Sequence, residues 1–429
     1  MQETLVNSRV DARALTIRGS NNWLTMPVYV LLTALAVVFL PFTKALTVEI
    51  GFPLKVYEIV FPIAIVVFIL FHRVVKNRIF SRNIIYCTAF WFVAFISSLV
   101  GAIEPTTATD INFRGGRSTD AALRVVYLAF NIIVFTLAFH ASLKLPSKII
   151  NAWFAGLFFA FFYHFYTIIS VFITGDAFLL PGLDRHQMGW VGSLLIPRSG
   201  TFEEGNFAGL YYLASFALAL YARKKTFVVI SIIGIVFSLS TSACVALLVY
   251  GTYYLYVSIN SSYKKSTILA IALLVGSVAF LQLGIDSKFG EDAGSSGAVR
   301  LNESMTGMEI FKESPLIGVG LGGYGFLYDK FEWSPELSIF ATAEKHIPNN
   351  VYVELLSETG VIGISMLFLF FWSWFGYMRD KRFGSSEFIA FGLAVSVAFI
   401  AYPTFNITYL WFFLGMSLGL CVHRRSAFK

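Results

Sequence analysis

The chain has 429 residues, of which 57% are hydrophobic and only 13% charged, with a mean hydropathy of +0.72; this excludes the soluble classes and fits a polytopic membrane protein. A net charge of +7 would suit a nucleic-acid partner if the bases formed one face, but they stand in short clusters between apolar runs, so none is expected. Cys87, Cys244 and Cys421 all fall inside apolar runs, which gives neither a disulfide framework nor metal-ligand spacing.

Apolar stretches long enough to cross a bilayer run near 23–42, 56–72, 84–103, 121–141, 149–173, 206–222, 226–240, 243–260, 267–284, 360–378, 387–404 and 406–422. The first is too long for a signal-peptide core and reads as a retained signal anchor. The expected fold is an all-α polytopic membrane protein with about 12 transmembrane helices. Its parts would be a cytoplasmic tail over 1–22, helices one to nine within 23–284, an extracytoplasmic loop over 285–359, helices ten to twelve within 360–422, and a second cytoplasmic tail over 423–429. Orientation follows from the bases. Arg9, Arg13 and Arg18, then Arg73, Lys76, Arg78 and Arg82, then Lys144 and Lys148, Arg223 to Lys225, Lys264 and Lys265, Arg379 to Arg382, and Arg424 to Lys429 occupy every second connection. That bias makes those connections cytoplasmic and turns the others outward. Within the spans, Glu58 and Arg124 stand near outer ends; a charge inside a span is a functional candidate by default, and snorkelling to the interface explains each equally well.

The outward segments collect the chemistry. One carries Arg117; the next carries Arg185 and then Arg198-Ser-Gly-Thr-Phe-Glu-Glu-Gly-Asn206; the long loop carries Arg300, Gly318-Val-Gly-Leu-Gly-Gly323 and His346. A loop of that length with no scaffold of its own is usually functional. Within it, Leu301, Met305, Met308 and Phe311 predict a short amphipathic helix over 299–313, stopped at Ser314-Pro315. Asn349 or Asn350 is placed to cap a second helix that runs toward Glu358, with Gly360 ending or breaking it. Two such helices would make a lid on the membrane surface.

Arg198 and Arg300 are candidates for holding a diphosphate, because a guanidinium is always charged and presents forked donors; Arg185 and Arg117 are weaker ones. The plainer alternative for each is a lipid headgroup or a surface ion pair. His346 or Glu204, with Glu203 as another option, could take a proton from a sugar hydroxyl. The glycine run around Gly320 lacks the strand, the helix and the cytosolic ligand of a nucleotide loop. It reads either as a tight turn with close backbone approach or as a backbone nest for phosphate. No metal site and no cofactor is expected. Outside the cell any synthetic reaction must draw on a donor that is already activated, which in a membrane means a lipid-linked diphosphate.

Asn349-Asn350-Val-Tyr-Val-Glu-Leu-Leu-Ser-Glu358-Thr-Gly360, preceded by Arg300, by Glu313-Ser-Pro-Leu-Ile-Gly-Val-Gly320 and by the Arg198 segment, resembles the O-antigen ligase and polymerase superfamily of bacterial envelope proteins. The resemblance implies a metal-independent inverting glycosyltransferase of the inner membrane, active on the periplasmic or outer face, that uses undecaprenyl-diphosphate-linked oligosaccharide. It matches Arg198 and Arg300 to the diphosphate-holding arginines, and Glu358 and Gly360 to the helix end of the signature. In the ligase branch a histidine stands where this chain has Asn349, so the resemblance points to a repeat-unit polymerase of O-antigen, capsule or exopolysaccharide, with a chain-length regulator as a possible partner. A ligase or protein O-oligosaccharyltransferase differs only in acceptor. A transporter or flippase would need internal repeats and mid-membrane charges.

Overall fold

The computed structural model describes residues 26–49, 53–72, 77–103, 116–191, 194–258, 296–334, 346–380 and 384–426. In these, thirteen α-helices carry almost all of the regular structure. They are α1 (Val28–Phe39), α2 (Val56–Phe71), α3 (Arg78–Ile103), α4 (Gly116–Lys144), α5 (Pro146–Thr174), α6 (Gly205–Tyr221), α7 (Lys225–Phe237), α8 (Thr241–Ser258), α9 (Ser296–Glu313), α10 (Gly323–Phe331), α11 (Val351–Met378), α12 (Ser386–Ala398) and α13 (Thr408–Ser426). Two short antiparallel hairpins interrupt them, β1 (Thr47–Glu49) with β2 (Pro53–Lys55), and β3 (Met188–Val191) with β4 (Leu194–Pro197).

Among the described residues α3, α4, α5 and α11 are long and apolar enough to cross a membrane, while α1, α2, α7, α8 and α12 are apolar but shorter. The ninth expected span, 267–284, lies outside the described residues, as do the first tail, 1–22, and residues 427–429 of the second. At the centre α4 packs most extensively on α13. Gly415 and Gly419 of α13 make this possible, since a Cβ at either would fall 2.2 Å from the Phe135 carbonyl oxygen or 2.5 Å from that of Phe139, so the two backbones touch. Around that seam α3 lies on α11, and α1 on both α2 and α5. Aromatic side chains fill the rest, with Trp153 stacked on Tyr211 and donating its indole N–H to Ser215 Oγ at 2.8 Å.

The long loop folds as helices. The amphipathic segment forms α9, which stops at Glu313 before Pro315 as the sequence predicts. The second expected helix also forms, and it breaks at Gly360 before the apolar run that follows. Asn350 Oδ1 accepts from the backbone N–H groups of Tyr352 (3.0 Å) and Val353 (3.3 Å), and α11 then runs from Val351 to Met378 through a break at Gly360 (φ 63°, ψ −171°).

An exchange of hydrogen bonds explains how the break is tolerated. In an unbroken helix Val361 and Ile362 would donate to the carbonyls of Ser357 and Glu358. Here they donate to Pro315 (2.9 Å) and Leu316 (3.1 Å), and the vacated carbonyls accept from Val319 and Gly320, both at 2.9 Å. The glycine run is thus threaded into the helix. A Cβ on Gly318 (φ 73°) would lie 2.3 Å from the Glu358 carbonyl carbon, so only glycine fits. Side chains of α3 and α4 hold the joint: Ser97 Oγ donates to the Glu358 carbonyl (2.7 Å), Ser98 Oγ accepts from Leu321 N–H (3.1 Å), and Arg117 Nη2 donates to the Val319 carbonyl (2.8 Å).

Candidate functional site

Arg198 is placed by the β3–β4 hairpin, whose register pairs Met188 with Pro197 and so sets Gln187 beside Arg198. The Arg198 backbone N–H donates to the Gln187 carbonyl at 2.9 Å, and Arg198 Nε donates to Gln187 Oε1 at 3.1 Å. The same oxygen accepts from Gly205 N–H at 2.8 Å, one of the donors that the start of α6 leaves without a helical partner. The arginine stem lies in a slot between Gly189 and Gly205, where added Cβ atoms would fall 3.0 Å from Cδ and 3.1 Å from Cγ. Gln187 and two glycines therefore fix the guanidinium by its shaft and leave its end to a ligand.

Arg300 comes from the second turn of α9, with Glu303 three residues further on the same face. Glu303 is buried; Asn349 Nδ2 donates to its Oε2 at 2.8 Å, and Tyr324 Oη donates to its backbone carbonyl at 2.8 Å. Glu204 is the N-cap residue of α6 but makes no capping bond with its side chain. These groups feel one another's charge. Burial lowers the proton affinity of Arg198, the charge of Arg300 pushes the same way, and Glu204 opposes both. Burial raises the pKa of Glu204, Glu203 adds to the rise, and the two arginines work against it. Burial also raises Glu303; its bonds from Asn349 and the charge of Arg300 offset part of that, while Glu204 pushes it further up. Two guanidiniums and two proton-hungry carboxylates thus share one electrostatic neighbourhood. A diphosphate could sit on the first pair with a hydroxyl on the second.

The remaining sequence candidates lie elsewhere. Asn350 serves as the α11 cap, Arg117 is buried and clamps the glycine loop, and Gly320 spends its N–H on Glu358. Of the two readings of the glycine run, the close backbone approach is the one the geometry carries. Glu358 is buried at the helix break, where its carbonyl takes two hydrogen bonds and Arg124 feels its charge. Arg185 is exposed on the loop before β3. His346 stacks face to face on Tyr328 with ring centres 3.8 Å apart; burial lowers its pKa, and the charges acting on it are those of Asp329 and Glu332. Among the described residues no group of three or more His, Cys, Asp or Glu could hold a metal ion.

Of the two readings open for Glu58 and Arg124, snorkelling describes neither. Glu58 accepts from the Lys55 backbone N–H (3.0 Å) and from Tyr127 Oη (2.9 Å), and Arg124 Nε lies 3.0 Å from Asp120 Oδ2 with Nη1 3.9 Å from Glu354 Oε1. Sequence reasoning also missed Gln187 and Glu303. Glu303 had a signal, the Arg-x-x-Glu spacing that puts both charges on one helix face. Gln187 had none, since its role depends on the hairpin register.

No curated protein matches the chain. Residues 226–368 match a family model described as O-Antigen ligase, and that stretch includes Arg300, Glu303, the glycine run, Asn349 and the broken helix. The family covers O-antigen ligases and related polymerases, and its members are glycosyltransferase-like membrane enzymes. Over this third of the chain the protein is similar to the O-antigen ligase family, and Arg198 stands outside the matched stretch.

Proposed function

We propose that this protein is a metal-independent inverting glycosyltransferase that polymerises lipid-diphosphate-linked oligosaccharide repeat units on the outer face of the bacterial inner membrane. The observation that supports it is the convergence of Arg198 and Arg300 with Glu204 and Glu303. The acceptor hydroxyl oxygen attacks the anomeric carbon of the donor sugar from the face opposite the diphosphate. The bond from that carbon to the diphosphate oxygen breaks, and its electron pair leaves with the diphosphate. Arg198 and Arg300 offset the charge that develops there. The hydroxyl proton passes to Glu204, whose raised pKa brings it nearer the working pH, as general-base catalysis requires. Glu303, oriented by Asn349, keeps the second carboxyl beside it.

Asn349 bears on polymerase against ligase. It stands where the ligase branch is expected to carry a histidine, and its amide is engaged with Glu303. The proton acceptor in this chain is then a carboxylate. A ligase reading is favoured by the description of the matching model, and the two differ in acceptor. Purified protein in vesicles, supplied with lipid-diphosphate-linked repeat units and nothing else, should give a ladder of products on a gel. A single new product that forms only when a lipid core or a protein acceptor is added would replace this reading with ligase or oligosaccharyltransferase.

A further inference from the structure

The slot that holds the Arg198 stem has a further wall, contributed by the turn between α7 and α8. Ser238 is the C-cap residue of α7, and Leu239 follows it with φ 46°. A left-handed residue just past the cap is a common way to end a helix, and glycine is its usual occupant because a Cβ is strained there. A leucine stands there in this chain. The turn itself makes no use of the side chain, since the Leu239 N–H donates to the Val236 carbonyl at 3.1 Å, a bond that glycine would make equally well.

The side chain reaches across to the hairpin instead. Leu239 Cδ1 lies 2.8 Å, and Arg198 Cδ 3.0 Å, from the point that a Cβ on Gly189 would occupy, so the leucine methyl group and the arginine stem meet over that glycine. The same turn is tied to the start of α6. The Ser238 carbonyl oxygen lies 2.5 Å from where a Cβ on Gly205 would stand, on the other side of the stem, and Ser240 Oγ donates to Asn206 Oδ1 at 2.9 Å. Contacts therefore close a ring around the stem, from Gln187 through Gly205 to Ser238, and from Leu239 through Gly189 back to Arg198. Backbone strain held within such a ring is the kind that gathers at working sites.

We propose that Leu239 is a positioning residue for Arg198: held in a left-handed turn, its side chain closes the stem slot over Gly189 and keeps the guanidinium in place. Gln187 grips the arginine at Nε, and Leu239 removes its sideways freedom at Cδ. The consequence for rate rests on the transfer reading above, because misplacing a group that acts in the transition state slows the reaction steeply. The placement of the stem can be measured without that reading.

The test compares Leu239→Gly, which adopts the turn without strain but leaves the slot open, with Leu239→Met, which restores the reach. The first readout is the rate at which phenylglyoxal modifies Arg198 in the purified full-length protein without substrate, followed by mass spectrometry. It should rise about fourfold or more in Leu239→Gly, the population shift that goes with losing about one buried methylene, and stay within about twofold of wild type in Leu239→Met. Modification of Arg300 should not change in either. The second readout is elongation of lipid-diphosphate-linked repeat units: kcat should fall about tenfold in Leu239→Gly with KM little changed, and return in Leu239→Met. An unchanged modification rate at Arg198 in Leu239→Gly would overturn the proposal. Equal acceleration at Arg300 would mean general loosening of the fold, with the same consequence. Faster modification at Arg198 alone, combined with full elongation by Arg198→Ala, would leave Leu239 as the residue that holds the arginine and would sink the transfer reading instead.

Discussion

Glu204 and Glu303 are the residues on which the chemistry turns. Each is held above the usual carboxylate range of about 4 by burial, and Glu303 is pushed further by the charge of Glu204. The base form of a carboxylate with a raised pKa appears only at higher pH. The acid limb of the pH–activity profile should therefore lie above that of an unperturbed glutamate. Replacing Glu203 by Gln removes a repelling charge and should move that limb down, though only a little because Glu203 is exposed and screened by salt. Glu204→Gln should cost about 100-fold or more in rate, in line with loss of a general base, while leaving lipid-diphosphate binding in place. If that variant kept its rate, the base would have to be found elsewhere, and His346 would return as a candidate. Gln187→Ala frees the Arg198 shaft and leaves the Gly205 donor unmet, so it should lower activity while the protein still folds, with a thermal melt in detergent as the check.

At the scale of elements, the central device is the exchange between the glycine run and the broken helix. Two backbone bonds within α11 are lost and four to the glycine run take their place, so the break has no hydrogen-bond deficit. Gly318→Ala places a methyl group on the Glu358 backbone and also requires a left-handed alanine, a strain of about 1–2 kcal/mol before the clash is counted. We expect a melting temperature well below that of Asn350→Ala, which loses only the cap bonds, about 1 kcal/mol. If the two variants melted together, the exchange would contribute nothing to stability. The cap and the helix stop at Pro315 were legible in the sequence, because both depend on residues within one turn of where they act. The exchange was not. It joins 315–320 to 357–362 through backbone atoms, which carry no residue-specific signal, and the sequence shows only that glycines stand on one side and Gly360 on the other.

For the whole molecule, the helical class could be read from apolar length alone, and the apolar runs in the described residues do fall on helices. Length also sets the limit of that reading, since among the described residues four helices are long and apolar enough to cross a membrane and the others fall short or are less apolar. Arg198 and Arg300 could be singled out because an invariably charged fork on the outer side needs a partner. That the charge of one acts on the other depends on a hairpin register and on the placing of α9, and neither leaves a pattern in the chain. The account's central claim is that these two arginines act on one leaving diphosphate. The most direct test is the rate of chain elongation from lipid-diphosphate-linked repeat units by wild type, Arg198→Ala, Arg300→Ala and the double variant, at equal amounts in the membrane. Residues that act as a unit are not additive, so each single variant should fall at least about 100-fold and the double should fall little further. A full ladder from both single variants, or losses that simply multiply in the double, would contradict it.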